Sequence, residues 1–238
     1  MYPPRFSFLP LRAVVRGLLI AFVVAVGCGR LPAVPERMLK AIDAYLERDR
    51  VSPPPGNAVV FVGSSSIARW KTLEQDFPGQ PVVGRGLGGS TVAEWVDFIG
   101  RFVLPYKPRQ VIFYAGENDI ARGRTPAQVA DDFSQFCRLV HEALPETRIL
   151  FVSLKPSPKR WKFQPLFTEA NGLIAALCAQ DERLSFLDLV PAMLTPDGLP
   201  RPELFGPDHL HLSPTGYQLW TELVAPRILI APAAIASR

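Results

Sequence analysis

Two stretches of uninterrupted apolar residues, Val59-Val60-Phe61-Val62 and Val111-Ile112-Phe113-Tyr114, constrain the fold of this chain more than any other feature. A strand with one wet face alternates apolar and polar residues. A strand covered on both faces is apolar throughout, as in a parallel sheet between helix layers. Short β-rich runs recur along the chain, at 58–62, 81–83, 110–114, 148–154 and 185–187, with helical patterns between them at 91–103, 125–144 and 165–181. Such alternation predicts right-handed crossovers that bring every strand-to-helix loop to one edge of the sheet, where α/β proteins bind ligands.

Local signals mark the element ends. Thr125-Pro126 and Ser213-Pro214 each place an N-cap side chain before a proline at the first helical position, and the second predicts a closing helix through Leu223. An N-terminal helix is expected over 35–49, ended by the breaker Ser52-Pro53-Pro54-Pro55-Gly56. A chain of 238 residues, 48% hydrophobic and 20% charged, can bury a large core and is not disordered. The expected organisation is a leader over 1–28, a helix and linker over 29–57, and one domain over 58–238.

The leader carries Arg5, Arg12 and Arg16 and no acidic residue, followed by the apolar run from Gly17 to Val26. That run is short for a membrane span and suits the apolar region of an export signal. It ends at Ala25-Val26-Gly27-Cys28, which resembles a bacterial lipobox, with Ala25 where leucine is usual. The expectation is an exported protein held to a membrane through lipidated Cys28; an ordinary cleaved signal and an uncleaved anchor are the alternatives. Without the three leader arginines the formal charge of +4 falls to +1, and no Lys/Arg stripe is present, so a nucleic-acid partner is not expected. Cys137 and Cys178 lie in helical, partly apolar stretches and read as buried free thiols, and no zinc-ligand spacing occurs.

The chain has three histidines, and an imidazole base must be His141, His209 or His211. His141 falls in an amphipathic helical pattern. Asp208-His209-Leu210-His211 lies among Gly206, Pro207, Pro214 and Gly216 and reads as a loop. A carboxylate three residues before a histidine in a turn can fold back onto the ring nitrogen that faces away from a substrate, which sets the tautomer and stabilises the imidazolium. A solvated histidine beside a turn aspartate is the simpler alternative.

Three further loops follow strands. The first run ends in Gly63-Ser64-Ser65-Ser66, where a serine hydroxyl can stand at the sheet edge as a nucleophile or merely cap a helix. The second ends in Gly84-Arg85-Gly86-Leu87-Gly88-Gly89, which satisfies the G-x-G-x-x-G spacing of dinucleotide sites. That reading fits poorly, because the motif follows the second strand and no acidic residue ends the next one. The third ends in Gly116-Glu117-Asn118-Asp119, where an Asn amide can donate to a developing oxyanion or serve a plain polar turn.

Taken in order, these loops resemble the SGNH/GDSL hydrolase superfamily, over about residues 58–223. The resemblance implies a three-layer α/β/α, flavodoxin-like fold with a mainly parallel five-stranded sheet. It also implies Ser65 as nucleophile, Asp208 and His211 as its partners, and an oxyanion hole made of the Ser65 and Gly89 N–H groups and the Asn118 amide. Ser64 stands where the family usually has Asp, and Gly84 where many members have Asn. The implied activity is a serine esterase acting through an acyl-enzyme on short or medium acyl esters, such as O-acetylated sugars or lysophospholipids. Such chemistry needs no metal or cofactor. An O-acyltransferase using the same residues and a catalytically silent binding lipoprotein are the alternatives. The segment from Lys155 to Phe163 follows the fourth strand, so Lys155, Arg160 and Trp161 are expected to overhang the site and meet an anionic or sugar-like part of the substrate.

Overall fold

The computed structural model describes residues 35–230. In chain order its elements are α1 (Glu36–Val51), β1 (Val59–Gly63), α2 (Ser65–Ala68), α3 (Leu73–Asp76), β2 (Val82–Gly86), α4 (Val92–Phe102), β3 (Gln110–Tyr114), α5 (Glu117–Ala121), α6 (Pro126–Ala143), β4 (Arg148–Val152), α7 (Gln164–Cys178), β5 (Leu184–Leu187), α8 (Val190–Met193) and α9 (Pro214–Val224). The five strands are all parallel in the order β2-β1-β3-β4-β5.

The period-2 alternation of strand side chains divides the core in two. Val60, Val62, Val111, Phe113, Ile149 and Phe151 face one layer, packed with α1, α4, α6 and α7. Val59, Phe61, Ile112, Tyr114, Leu150 and Val152 face the other, packed with α2, α3, α8 and α9. This is the expected three-layer α/β/α sandwich, and it explains why Val59–Val62 and Val111–Phe113 are apolar on both faces.

Strand ends and helix starts depart from expectation in instructive places. Thr125 caps α6 by accepting from Gln128 N, with Pro126 at the first position, as its sequence signal implies. Ser213 caps α9 by accepting from Gly216 N. Gly84, Arg85 and Gly86, expected in a loop, instead extend β2, and Gly86 lies opposite Gly63 in the parallel register. Glycine is required there by close approach, since a Cβ on Gly86 would lie 2.0 Å from Ala68 N. Arg85 is buried and pairs with Asp49 of α1, while Tyr45 donates to Gly86 O at 2.9 Å. Helix α1 is thus fastened to the sheet, with Met38 and Ile42 in the core. The fourth strand ends at Val152, two residues before its expected limit.

His141, Cys137 and Cys178 are buried on the α6–α7 side, away from the strand-end loops, and both thiols are free. Among the described residues no helix is long and apolar enough to cross a membrane. The leader, with Cys28 and the lipobox-like segment, lies outside the described residues.

Candidate active site

The chain leaves β1 outward toward β2 and returns to β3 on the other side, so the loops after β1 and β3 diverge at a topological switch point. Ser65 and Asn118 sit there. Gly63 makes the first turn possible. It adopts φ 152°, and a Cβ at that position would lie 2.0 Å from Tyr114 O. Ser64 N then donates to Tyr114 O at 2.9 Å, which locks the turn onto β3. Of the three consecutive serines, Ser64 and Ser66 are buried and Ser65 is partly exposed at the start of α2.

The third component arrives from the other end of the chain. Beyond α8, an antiparallel bridge between Phe205 and Leu212 closes a tight loop, within which Gly206 N donates to His211 O at 2.8 Å and His209 N to Gly206 O at 2.9 Å. His209 takes the left-handed conformation at φ 56° to let the chain turn. Asp208 Oδ1 accepts from the backbone of Leu210 and His211 at 3.1 and 2.9 Å, an Asx turn that carries its second oxygen back to the ring. His211 Nδ1 lies 2.6 Å from Asp208 Oδ2, and His211 Nε2 lies 3.0 Å from Ser65 Oγ. The network assigns Nδ1–H as donor to the carboxylate, which leaves Nε2 to accept from the serine hydroxyl. The His211 hydrogen bond holds the Asp208 carboxyl well below the usual carboxylate range, although this side chain is 46% exposed. A hydroxyl, an imidazole and an ionised carboxylate are therefore in line, an arrangement that can move a proton off the serine. His209, by contrast, is exposed, and its carbonyl accepts from Lys159 N at 3.0 Å.

Asn118 lies on the first turn of α5, a short helix where a loop was expected, and it is nearly buried. Its amide donates to Ser90 O at 2.9 Å and accepts from Arg160 Nη2 at 2.7 Å. Gly89, at φ 74°, precedes Ser90 in the turn from β2 to α4, and its carbonyl accepts from Arg122 at 2.7 Å. Asp119 joins the same corner by accepting from Val92 N at 3.0 Å; its other oxygen is buried without a partner, and burial raises its carboxyl to about 6. Sequence reasoning passed over Asp119 as part of a polar loop.

The expectation for Lys155 needs correction. Its ammonium is 1% exposed and points inward, 2.9 Å from Glu117 Oε2, 3.1 Å from the Tyr114 hydroxyl and 3.3 Å from Ser66 Oγ. The chain crosses over the end of β4 before it reaches the surface, so the loop begins beneath the site. Burial draws the Lys155 pKa down, and Glu117 opposes that. Arg160 and Trp161, farther along, are half-buried, and Arg160 reaches Asn118.

The family profile of GDSL-like lipases and acylhydrolases matches residues 56–219. The chain belongs to this family. It is thus an esterase or lipase, a hydrolase of ester substrates. No curated protein matches this GDSL hydrolase by sequence. Among solved structures it resembles a Streptococcus pneumonia protein provisionally described as a platelet activating factor, at TM-score 0.71 and 19% identity, over 80% of this chain and 92% of that one. It also resembles a protein provisionally described as an acylhydrolase from Bacteroides fragilis, at 0.69 and 21%, covering 78% and 94%. A GDSL-like lipase from Bacteroides thetaiotaomicron aligns at 0.66 and 19%, covering 78% and 96%. At these identities the structural likeness speaks to the fold of the GDSL hydrolase, and its chemistry has to be argued from its own residues.

Proposed function

We propose that this protein is a serine esterase in which Ser65 attacks the ester carbonyl, His211 takes the serine proton, and Asp208 orients the ring. The observation that carries this reading is the unbroken hydrogen-bonded chain from Ser65 Oγ through His211 to Asp208. As Oγ bonds to the carbonyl carbon, its proton passes to His211 Nε2. The resulting oxyanion is held by the N–H groups of Ser65 and Gly89 and by the Asn118 amide. Collapse breaks the bond to the alcohol, which leaves with the proton from His211. Water then attacks the acyl-enzyme by the same route, returning Ser65 and releasing the acid.

The substrate class we assign is short or medium acyl esters, with O-acetylated sugars and lysophospholipids as candidates. Half-buried Trp161, next in sequence to Arg160, suits the apolar face of a sugar or lipid alcohol. Labelling with a fluorophosphonate probe tests the nucleophile, with label expected on the native protein and absent from Ser65→Ala. A panel of acyl esters, including acetylated glycans, then assigns the alcohol. An unlabelled native protein that turns over no ester would overturn the reading in favour of a binding lipoprotein.

Location is proposed from the leader alone: export, cleavage before Cys28, and anchoring by lipid on that cysteine. A bacterial lipoprotein anchor carries several acyl chains, which together hold a protein stably where one would not. Cys28→Ser should move active enzyme from the membrane fraction to the soluble one. Wild-type protein that is already soluble would replace lipidation with an ordinary secretory signal.

A further inference from the structure

Asn118 is held from both ends. An amide side chain offers one acceptor oxygen and two N–H donors. Arg160 Nη2 occupies the oxygen at 2.7 Å, and the Ser90 carbonyl occupies one N–H at 2.9 Å. The Asn118 carbonyl accepts in turn from Arg122 N at 3.0 Å, which fixes the backbone under the side chain. One amide hydrogen is left. The terminal torsion of Asn is broad, and a single bond to Ser90 O would leave the amide free to swing by tens of degrees. A second bond at the opposite end closes that arc.

Arg160 is itself held. Its backbone N–H donates to Ser157 O at 3.1 Å, while the preceding Lys159 N–H donates to His209 O at 3.0 Å. The loop after β4 thus grips the histidine-bearing loop on one side and the Asn118 amide on the other. Among the described residues no carboxylate lies within ion-pair distance of Arg160, and its side chain bonds to Asn118. Lys155 below is matched by Glu117.

Resting on the reading of Asn118 as an oxyanion donor, we infer that Arg160 is a positioning residue: it locks the Asn118 amide and polarises its remaining N–H toward the oxyanion. A charge-assisted bond on the amide oxygen draws electron density from the N–H, which strengthens it as a donor. The stronger donor acts on the transition state rather than on the neutral ground-state ester, so the effect belongs in kcat.

The test uses the full enzyme with p-nitrophenyl acetate, a neutral ester, and with an activated ester bearing a free carboxylate. The variants are Arg160→Met, Arg160→Lys, Asn118→Ala and the double Arg160→Met/Asn118→Ala. We expect Arg160→Met to lower kcat about tenfold on both esters with KM little changed, and Arg160→Lys to recover part of it. Asn118→Ala should lower kcat by about 10²–10³-fold, and the double variant should lose no more than Asn118→Ala does, because the guanidinium acts through the amide. The inference is overturned if the two losses multiply in the double variant. It is equally overturned if Arg160→Met raises KM for the carboxylate-bearing ester alone, which would make the guanidinium a receptor for substrate charge. An Asn118→Ala enzyme with native kcat would refute the oxyanion reading itself and remove the ground for this inference, an outcome distinct from either result on Arg160.

Discussion

Lys155 and Glu117 meet at 2.9 Å in the interior, one at the end of β4 and the other at the start of α5, directly under the Ser65 turn. The pair ties together three strand ends, since Lys155 also reaches Ser66 Oγ and the Tyr114 hydroxyl. Burying two charges is costly even when they are matched, and an apolar pair of similar volume is often as stable. Removing one partner alone leaves an uncompensated charge. Lys155→Met should therefore destabilise by about 3–5 kcal/mol. Lys155→Met combined with Glu117→Met should recover most of that loss in thermal unfolding, though not the placement of Ser66. A Lys155→Met variant with native stability would mean that the Lys155–Glu117 pair does not hold these strand ends together.

The three serines of the first loop separate cleanly. Ser65→Ala should lower kcat by at least about 10⁴-fold, since no acyl-enzyme can form. Ser64→Ala and Ser66→Ala should remain folded and active, because neither hydroxyl reaches His211, and Ser66 instead meets Lys155. Ester hydrolysis by the purified variants decides it; a dead Ser64→Ala beside an active Ser65→Ala would contradict the geometry at 3.0 Å.

Asp208 and the two nearby histidines predict a graded series. His211→Ala should abolish hydrolysis, whereas His209→Ala should keep most of it, since His209 contributes its backbone carbonyl to Lys159. Asp208→Asn should fall between, keeping the ring but losing the charge that orients it. The folded Asp208 carboxyl titrates below its unfolded value. Its contribution to loop stability is accordingly full above the ordinary carboxylate range and is lost only as pH falls through the lower folded value. The loop should thus stay assembled through mildly acidic pH, which pH-dependent fluorophosphonate labelling of native and Asp208→Asn protein would measure.

Part of this architecture was legible in the residues. The uninterrupted runs at β1 and β3 could only be strands covered on both faces, and Asp208-x-x-His211 among glycines and prolines could only be a loop. The serine register, open among three neighbours, was narrowed to Ser65 by the resemblance alone. What escaped reading shares one physical cause: a residue type with two uses. Gly84 and Gly86 suit a turn as well as a strand pressed against Ala68, and composition does not separate these. Lys155, in a segment rich in prolines and cations, reads as surface. Only the fold brings Glu117, 38 positions earlier, beneath it. The hold of Arg160 on Asn118, across 42 positions, is likewise invisible in either local motif.

Asp119 supplies a stability effect that runs opposite to that of Asp208. One oxygen accepts from Val92 N at the start of α4 and the other is buried without a partner. Burial, the largest influence, raises the carboxyl to about 6, with the Asp132 carboxylate adding to it and Arg124 opposing. The folded protein therefore holds this proton more tightly than the unfolded chain does. Its contribution is fully present below the unfolded value near 4 and is lost as pH rises through about 6. The ionised form at pH 8 should cost on the order of 2–3 kcal/mol relative to the protonated one. Asp119→Asn keeps an oxygen for Val92 N and carries no charge, so its melting temperature should exceed that of the native protein at pH 8 and approach it at pH 4. Parallel melting curves for the two proteins at both ends of this range would reject the assignment if the variant were the less stable at pH 8, because Asp119 would then be ionised and favourably paired.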